Sequence, residues 1–165
     1  MKKRLAVAFT GPSNSGKTTL IVKVANILID KHGKDVAIIK NDPKDKARFD
    51  TEGKDSFKFS QTGADVIVTS PTRTTLFSQK HKELDEMIAM LSDFDILLVE
   101  GLKTLPLPRI AIFRKRLDSD YFGVSEALAV DQTIDKEEIP ADLPILDLNN
   151  PEEVIKWILS NAKEV

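Results

Sequence analysis

Gly11-Pro12-Ser13-Asn14-Ser15-Gly16-Lys17-Thr18 satisfies the spacing G-x-x-x-x-G-K-[ST] at every fixed position. Its glycines permit positive φ, so successive backbone N–H groups can turn inward and approach a polyphosphate closely. The Lys17 ammonium is placed to reach the β- and γ-phosphates, and the Thr18 hydroxyl to coordinate Mg²⁺. Gly11, Pro12, Ser13, Asn14, Ser15, Gly16, Lys17, Thr18 and Thr19 are therefore expected to hold a purine nucleoside triphosphate. A glycine-rich turn that happens to carry a lysine would need no strand before it and no helix after it. This sequence has both.

An acid that orients metal-bound or attacking water belongs at the end of a neighbouring strand. Two acids flank the apolar run from Phe94 to Val99. Asp95 and Glu100 are five residues apart, or roughly 16 Å along a strand, so only Glu100 can share a strand end with Thr18. It is the expected catalytic and metal-binding carboxylate, and a polar strand end is the plainer alternative. Asp42 directly follows the second strand and could approach Mg²⁺ by the same logic. It is equally well an acid in a solvated loop. Asp131 follows a strand late in the chain, where a carboxylate could accept hydrogen bonds from guanine N1–H and N2–H₂; a turn cap would look the same. Arg114-Lys115-Arg116 reads as a solvated charge run that could also hold a phosphate or an acidic partner. His32 and His81 lie near helix ends and read as structural.

The elements that would carry these residues alternate between strand and helix. Leu5 to Thr10 is a short apolar run of the kind buried in parallel sheets. From Lys17 an apolar face runs through Leu20, Val24, Ile27 and Leu28, and Gly33 provides a stop. Asp35 to Lys40 is a second strand, and Asn41 to Asp55 a long polar loop. Ser56 to Thr62 reads as a short helix. Asp65–Thr69 and Arg73–Phe77 read as a hairpin around Ser70-Pro71. Lys82 to Leu91 is amphipathic. Strands follow at Phe94–Val99, Ile110–Phe113, Ala127–Val130 and Ile145–Leu148. Asn150-Pro151-Glu152-Glu153 then opens a last helix, with a good N-cap, proline in the first turn and acids near the helix start. This order predicts one α/β domain over 1–165 with the P-loop NTPase fold. Its sheet would be mostly parallel, with helices on both faces and a β-hairpin excursion. Ligands of such sheets bind at the carboxyl ends of the strands.

Composition removes several classes of function. The 165 residues carry a net charge of −2, without the cationic surplus that nucleic-acid binding requires. There is no cysteine and only two histidines, which excludes disulfides, thiolate chemistry and multi-histidine metal sites. No apolar run approaches the ~18 residues of a membrane span. The charged start Met1-Lys2-Lys3-Arg4 is followed by too short an apolar stretch for a secretory signal. The expected location is the cytoplasm, with no nucleic-acid or membrane partner.

Beyond the octapeptide, several segments occur in a particular order. They are Ile39-Lys40-Asn41-Asp42, Gly53-Lys54-Asp55-Ser56 followed by Gly63-Ala64, Val99-Glu100-Gly101-Leu102-Lys103, and Leu143-Pro144-Ile145-Leu146-Asp147-Leu148. With them the chain resembles the MobB family of molybdopterin-guanine dinucleotide biosynthesis adaptor proteins along most of its length. The resemblance implies a GTP-binding, weakly hydrolysing homodimer. Such a protein assists the enzyme that attaches GMP to molybdopterin, forming the guanine dinucleotide of molybdenum cofactor. It also makes Lys54, Asp55 and Lys103 candidates, beside Asp42, for contact with nucleotide or pterin. The family's histidines after the second strand are replaced here by Asn41-Asp42-Pro43-Lys44, and its proline before G-K-D-S by Glu52, so roles resting on those residues do not carry over.

Two other readings share the same octapeptide. A small-molecule kinase would phosphorylate an acceptor and needs an arginine-rich lid, for which Arg114 and Arg116 form the one close pair. A nucleotide-gated maturation or binding module would hydrolyse slowly alone and faster with its partner. The typical guanine motif N-K-x-D is absent. Asp50-Thr51-Glu52-Gly53 and Asp120-Tyr121-Phe122-Gly123 match D-x-x-G, but neither follows an apolar strand.

Overall fold

A computed structural model describes residues 3–165; Met1 and Lys2, which begin the charged N-terminal run, lie outside the described residues. Along the chain come β1 (Leu5–Thr10), α1 (Lys17–Asp30), β2 (Val36–Lys40), α2 (Asp55–Ser60), β3 (Val66–Thr69), β4 (Thr74–Phe77), α3 (Leu84–Met90), β5 (Ile96–Glu100), β6 (Arg109–Phe113), β7 (Ala127–Val130), β8 (Ile145–Asp147), α4 (Pro151–Asn161) and β9 (Lys163–Glu164). Short 3₁₀ turns occupy Ser119–Val124 and Lys136–Glu138. The chain divides into two compact units: the stretch up to Asn41 together with Leu91–Val165, and the intervening Asp42–Met90.

The first unit is a seven-stranded sheet in the order β2-β5-β1-β6-β7-β8, parallel throughout, with β9 antiparallel to β1. Its central strands are apolar on both sides because both sides are covered. On one face Val7, Phe9, Ile96, Leu98, Ile110 and Ile112 pack against Leu20, Val24 and Leu28 of α1 and against Val154, Ile155 and Ile158 of α4. The 3–4 spacing of those helical residues is what aims a single stripe at the sheet. On the other face Ala111, Phe113, Leu128 and Val130 meet Ile134 and Ile139, and the first 3₁₀ turn sets Tyr121 and Phe122 edge-on against Phe113. The D-x-x-G match at Asp120–Gly123 thus lies in a 3₁₀ turn that packs aromatics and does not directly follow a strand.

The observed strands match the apolar runs, with small shifts. β5 extends one residue further than its apolar run and ends on Glu100 itself, in register with Lys40. β9 is an addition. It is a two-residue polar strand whose Glu164 and Lys163 pair with Leu5 and Ala6, and only the β1 edge below β6 makes it a strand. Among the described residues no helix is long and apolar enough to cross a membrane.

The second unit holds α2, α3 and a two-stranded antiparallel sheet in which Ile67 faces Leu76 and Val66 faces Phe77. Its tight turn closes with Ser70 N–H donating to Arg73 O at 2.8 Å. Ile67 is 65% exposed and Leu76 41%, so the hairpin carries an apolar face toward solvent.

Two substitutions test this packing. Leu98→Ala, in the middle of the covered face, should destabilise by about 2–5 kcal/mol, read as a lower urea midpoint with an unchanged slope. Asn150→Ala removes the acceptor for Glu153 N–H at 3.3 Å and should cost about 1 kcal/mol in the same assay.

Candidate functional site

The octapeptide leaves β1 and enters α1 through three left-handed residues, Gly11 at φ 137°, Asn14 at 61° and Gly16 at 99°. Gly11 is fixed by contact as well as by φ. A Cβ there would lie 2.4 Å from the carbonyl oxygen of Ile112 on β6. The loop is therefore pressed against the neighbouring strand, and any side chain at position 11 would force it away.

α1 starts without the usual neutralising groups. No side chain caps its first N–H groups, and its first turn contains no acid. By contrast, α4 has the Asn150 cap and Glu152 and Glu153 behind it. Orphan N–H groups and the positive end of the helix dipole together attract an anion. The Ser15 hydroxyl, 3% exposed, has no hydrogen-bond partner within the loop.

The resulting cleft holds about 520 Å³ and is lined by Ser13, Asn14, Gly16, Lys17, Thr18, Thr19, Glu100 and Arg114. Lys17 Nζ donates to Gly11 O at 2.9 Å and to Pro12 O at 2.7 Å. Burial pushes this ammonium below the ordinary lysine range, Glu100 pulls it back up, and Lys40 pushes it down again. Glu100 is largely buried and pairs with Lys40 at 3.4 Å. The strand-end assignment thus brings Glu100 to the same cleft as Thr18. Asp95 is at the far end of β5, where Oδ2 accepts from Asp35 N–H at 2.8 Å. Gly101, also left-handed at φ 86°, lets the chain pass Asn41, whose Cβ a side chain at 101 would meet at 3.0 Å.

Other candidates are placed differently. Asp42 belongs to the second unit and closes a turn there, with Oδ2 accepting from Lys46 N–H and Ala47 N–H at 2.7 Å each. Lys54 caps α2 without a side-chain bond, and Asp55 sits in its first turn 3.8 Å from Lys58. Lys103 Nζ lies 3.7 Å from the centre of the Tyr121 ring, a cation–π contact. Asp131 is 9% exposed. Its Oδ1 accepts from the Thr133 N–H and hydroxyl, and its Oδ2 lies 3.5 Å from Arg114 Nε. Burial pushes this carboxyl up, but the Thr133 bonds and the Arg114 charge together hold it below the usual range. The oxygens proposed for guanine are thus already engaged.

Two arginines take places beyond their sequence reading: Arg114 belongs to the charge run that could hold a phosphate, and Arg109 carries no sequence signal of its own. Arg114 emerges from its charge run to line the cleft, with Nε 3.4 Å from where a Gly16 Cβ would stand. The one signal for it was its position directly after β6, the same strand-end rule that selects Glu100. Arg109 is 1% exposed. Its Nη2 donates to Leu102 O at 2.9 Å and Leu105 O at 3.2 Å, and its Nη1 to Lys103 O at 3.4 Å. It holds the turn that follows Glu100, where Leu102 has φ 51°. Arginine at a strand start gave no hint of this.

A larger hollow of about 670 Å³ opens at the starts of β6 and β7, with Pro106, Arg109, Glu126 and Lys163 on its walls. It lies at the amino ends of the strands, where parallel sheets seldom bind ligands. The smaller cleft has the anion-binding chemistry.

Known proteins share this fold along most of the chain. Residues 6–132 match the model of the family described as Molybdopterin guanine dinucleotide synthesis protein B. A Haemophilus influenzae molybdopterin-guanine dinucleotide biosynthesis adapter protein is 31% identical over 156 residues, 92% of this chain and 86% of its own length. A crystal structure of molybdopterin-guanine biosynthesis protein B is 27% identical with TM-score 0.73, over 94% of this chain and 99% of that one. Bacillus subtilis MobB is 25% identical with TM-score 0.75, over 96% and 98%. With the phosphate loop, the Glu100 strand end and these matches along most of its length, the chain belongs to the MobB family.

Proposed function

We propose that this chain binds GTP with Mg²⁺ in the cleft at the start of α1, hydrolyses it weakly, and acts as an accessory to the enzyme that attaches GMP to molybdopterin. The observation that carries the reading is the uncapped, acid-free start of α1, faced by Lys17, Thr18 and Glu100. The adapter role follows from family membership. The work is assigned to the cytoplasm.

Mg²⁺ fits what the cleft offers. Among the described residues no cluster of three or more His, Cys, Asp or Glu side chains could cage a metal. Mg²⁺ does not need one, since it takes one or two protein oxygens and completes its shell with phosphate and water. Thr18 and Glu100 would supply those oxygens, and the bound ion would offset charge on the β- and γ-phosphates. Lys17 exchanges its bonds to Gly11 O and Pro12 O for phosphate oxygens. Glu100 orients the attacking water, and its carboxylate pairs with Lys40 at 3.4 Å. Asp42 was a second candidate for that role, but its carboxylate is engaged with Lys46 and Ala47. No strong general base stands in the cleft, which accords with slow turnover.

Lys54 and Asp55 of the second unit, and separately Lys103 of the first, are the residues we assign as candidates for contact with the pterin or its dinucleotide. For the homodimer we propose the β3–β4 hairpin. A two-stranded sheet is marginal on its own, and its exposed Ile67 and Leu76 offer a second copy apolar area beside free strand edges.

The central experiment is a titration of GTP against ATP with Mg²⁺, repeated with molybdopterin present; tighter binding of ATP would overturn the GTP assignment. Lys17→Ala should abolish triphosphate binding, and retained micromolar affinity would contradict the cleft assignment. Glu100→Gln should leave GTP affinity within a few-fold and lower hydrolysis by about 100-fold, the scale of a lost preorganised charge. Ile67→Asp should shift the sedimentation coefficient from dimer to monomer; a monomeric unsubstituted protein would sink the hairpin proposal.

A further inference from the structure

The corner after β6 is built more firmly than a solvated charge run requires. Lys115 has φ 68°, a left-handed conformation that costs a residue other than glycine roughly 1–2 kcal/mol. Its N–H donates to Thr133 Oγ1 at 2.7 Å. That hydroxyl donates in turn to Asp131, whose Oδ1 also accepts from Thr133 N–H at 3.0 Å. Asp131 Oδ2 faces Arg114 Nε at 3.5 Å, and the peptide bond from Arg114 to Lys115 closes the ring. Each polar group has one defined role, with the threonine hydroxyl accepting on one side and donating on the other. Strained backbone persists where its surroundings over-determine it, and it clusters at ligand sites. The only member of the ring in the cleft is the Arg114 side chain, 41% exposed and beside Gly16.

Sheet order says which part of a nucleotide this side chain meets. β1 lies between β5 and β6. Thr18 and Glu100 mark the β5 side as the edge for Mg²⁺ and the γ-phosphate. The connection leaving β1 returns beyond β5 to β2, whereas the one leaving β6 runs the other way to β7. Such a reversal opens the ligand crevice between the two strands from which the connections diverge. Here those are β1 and β6. The nucleotide therefore extends from the Glu100 edge toward Arg114, with its nucleoside end on the β6 side.

We infer that Arg114 binds within the part of the nucleotide common to GDP and GTP, at its α-phosphate and nucleoside end, and that Asp131 and Thr133 are positioning residues that aim it. The inference rests on the triphosphate reading of the cleft given above. It gives Asp131 a role through a neighbour in place of direct base recognition. It also separates Arg114 from an arginine that acts on the γ-phosphate during hydrolysis.

The test is calorimetric titration of the full chain with Mg²⁺–GDP and Mg²⁺–GTP, with steady-state hydrolysis alongside. Arg114→Ala should weaken GDP and GTP by the same factor, about 10- to 100-fold for a lost charge-assisted contact, with kcat at saturating GTP nearly unchanged. Thr133→Val should weaken both by a smaller common factor, and Thr133→Ser, which keeps the hydroxyl, should restore them. Arg116→Ala, in the same charge run, should change neither. A loss confined to GTP, or a fall in kcat without a change in affinity, would overturn the assignment to the shared end. Unchanged affinity for both nucleotides in Arg114→Ala would remove Arg114 from the site. Thr133→Ser behaving like Thr133→Val would remove the positioning role. If the unsubstituted protein binds neither nucleotide, or Lys17→Ala binds as well as it does, the triphosphate reading itself fails. If both of those controls behave and Arg114→Ala does not, only the present inference fails.

Discussion

A helix that begins without a cap is the constraint to which the rest of the first unit answers. The first backbone N–H groups of α1 have no side-chain acceptor, and no acid softens the positive end of its dipole. In an ordinary helix that is a defect worth about a kilocalorie per mole. Here the chain before it is bent so that those groups converge, and the bend works only because Gly11 can lie against the Ile112 carbonyl. β6 is thus part of the loop's mould as well as a strand of the sheet. A parallel sheet of apolar strands, covered on both faces, is the rigid frame that holds such a contact in place.

The cations around the cleft are all satisfied before any ligand arrives. Lys17 is on two loop carbonyls, Lys40 on Glu100, and Arg114 on Asp131. A polyphosphate entering this site exchanges partners with groups that are already paired, and in the case of Lys17 partly desolvated as well. Preformed polar partners of this kind reduce the reorganisation that accompanies binding and reaction. Sparse acidity fits the same logic, since every additional carboxylate near the cleft would compete with the phosphate for Lys17.

What could be read in the sequence was whatever repeats a local rule. The P-loop spacing, the apolar runs and the Asn150 cap each express chemistry within a few residues, and each appeared where expected. The choice of Glu100 over Asp95 needed only the length of a strand. What stayed hidden depended on distant neighbours. β9 is polar and two residues long, and is a strand only because the lower half of β1 has a vacant edge. Arg114 looked like one charge among three until β6 placed it beside Gly16. Asp131 could be found as a strand-end acid, but its engagement could not, because a turn two residues on takes Oδ1 and Arg114, directly after the preceding strand, takes Oδ2. Arg109 gave no signal, for a buried arginine has the same letter as an exposed one.

Arg109 has one more consequence. Its guanidinium is held under the turn after Glu100 by three carbonyl oxygens, and burial lowers its affinity for a proton. A lysine at that depth could relieve the burden by becoming neutral and letting the turn go. A guanidinium keeps its charge at any acidity the fold itself survives. The rim of the cleft is therefore anchored by a bolt that titration cannot loosen.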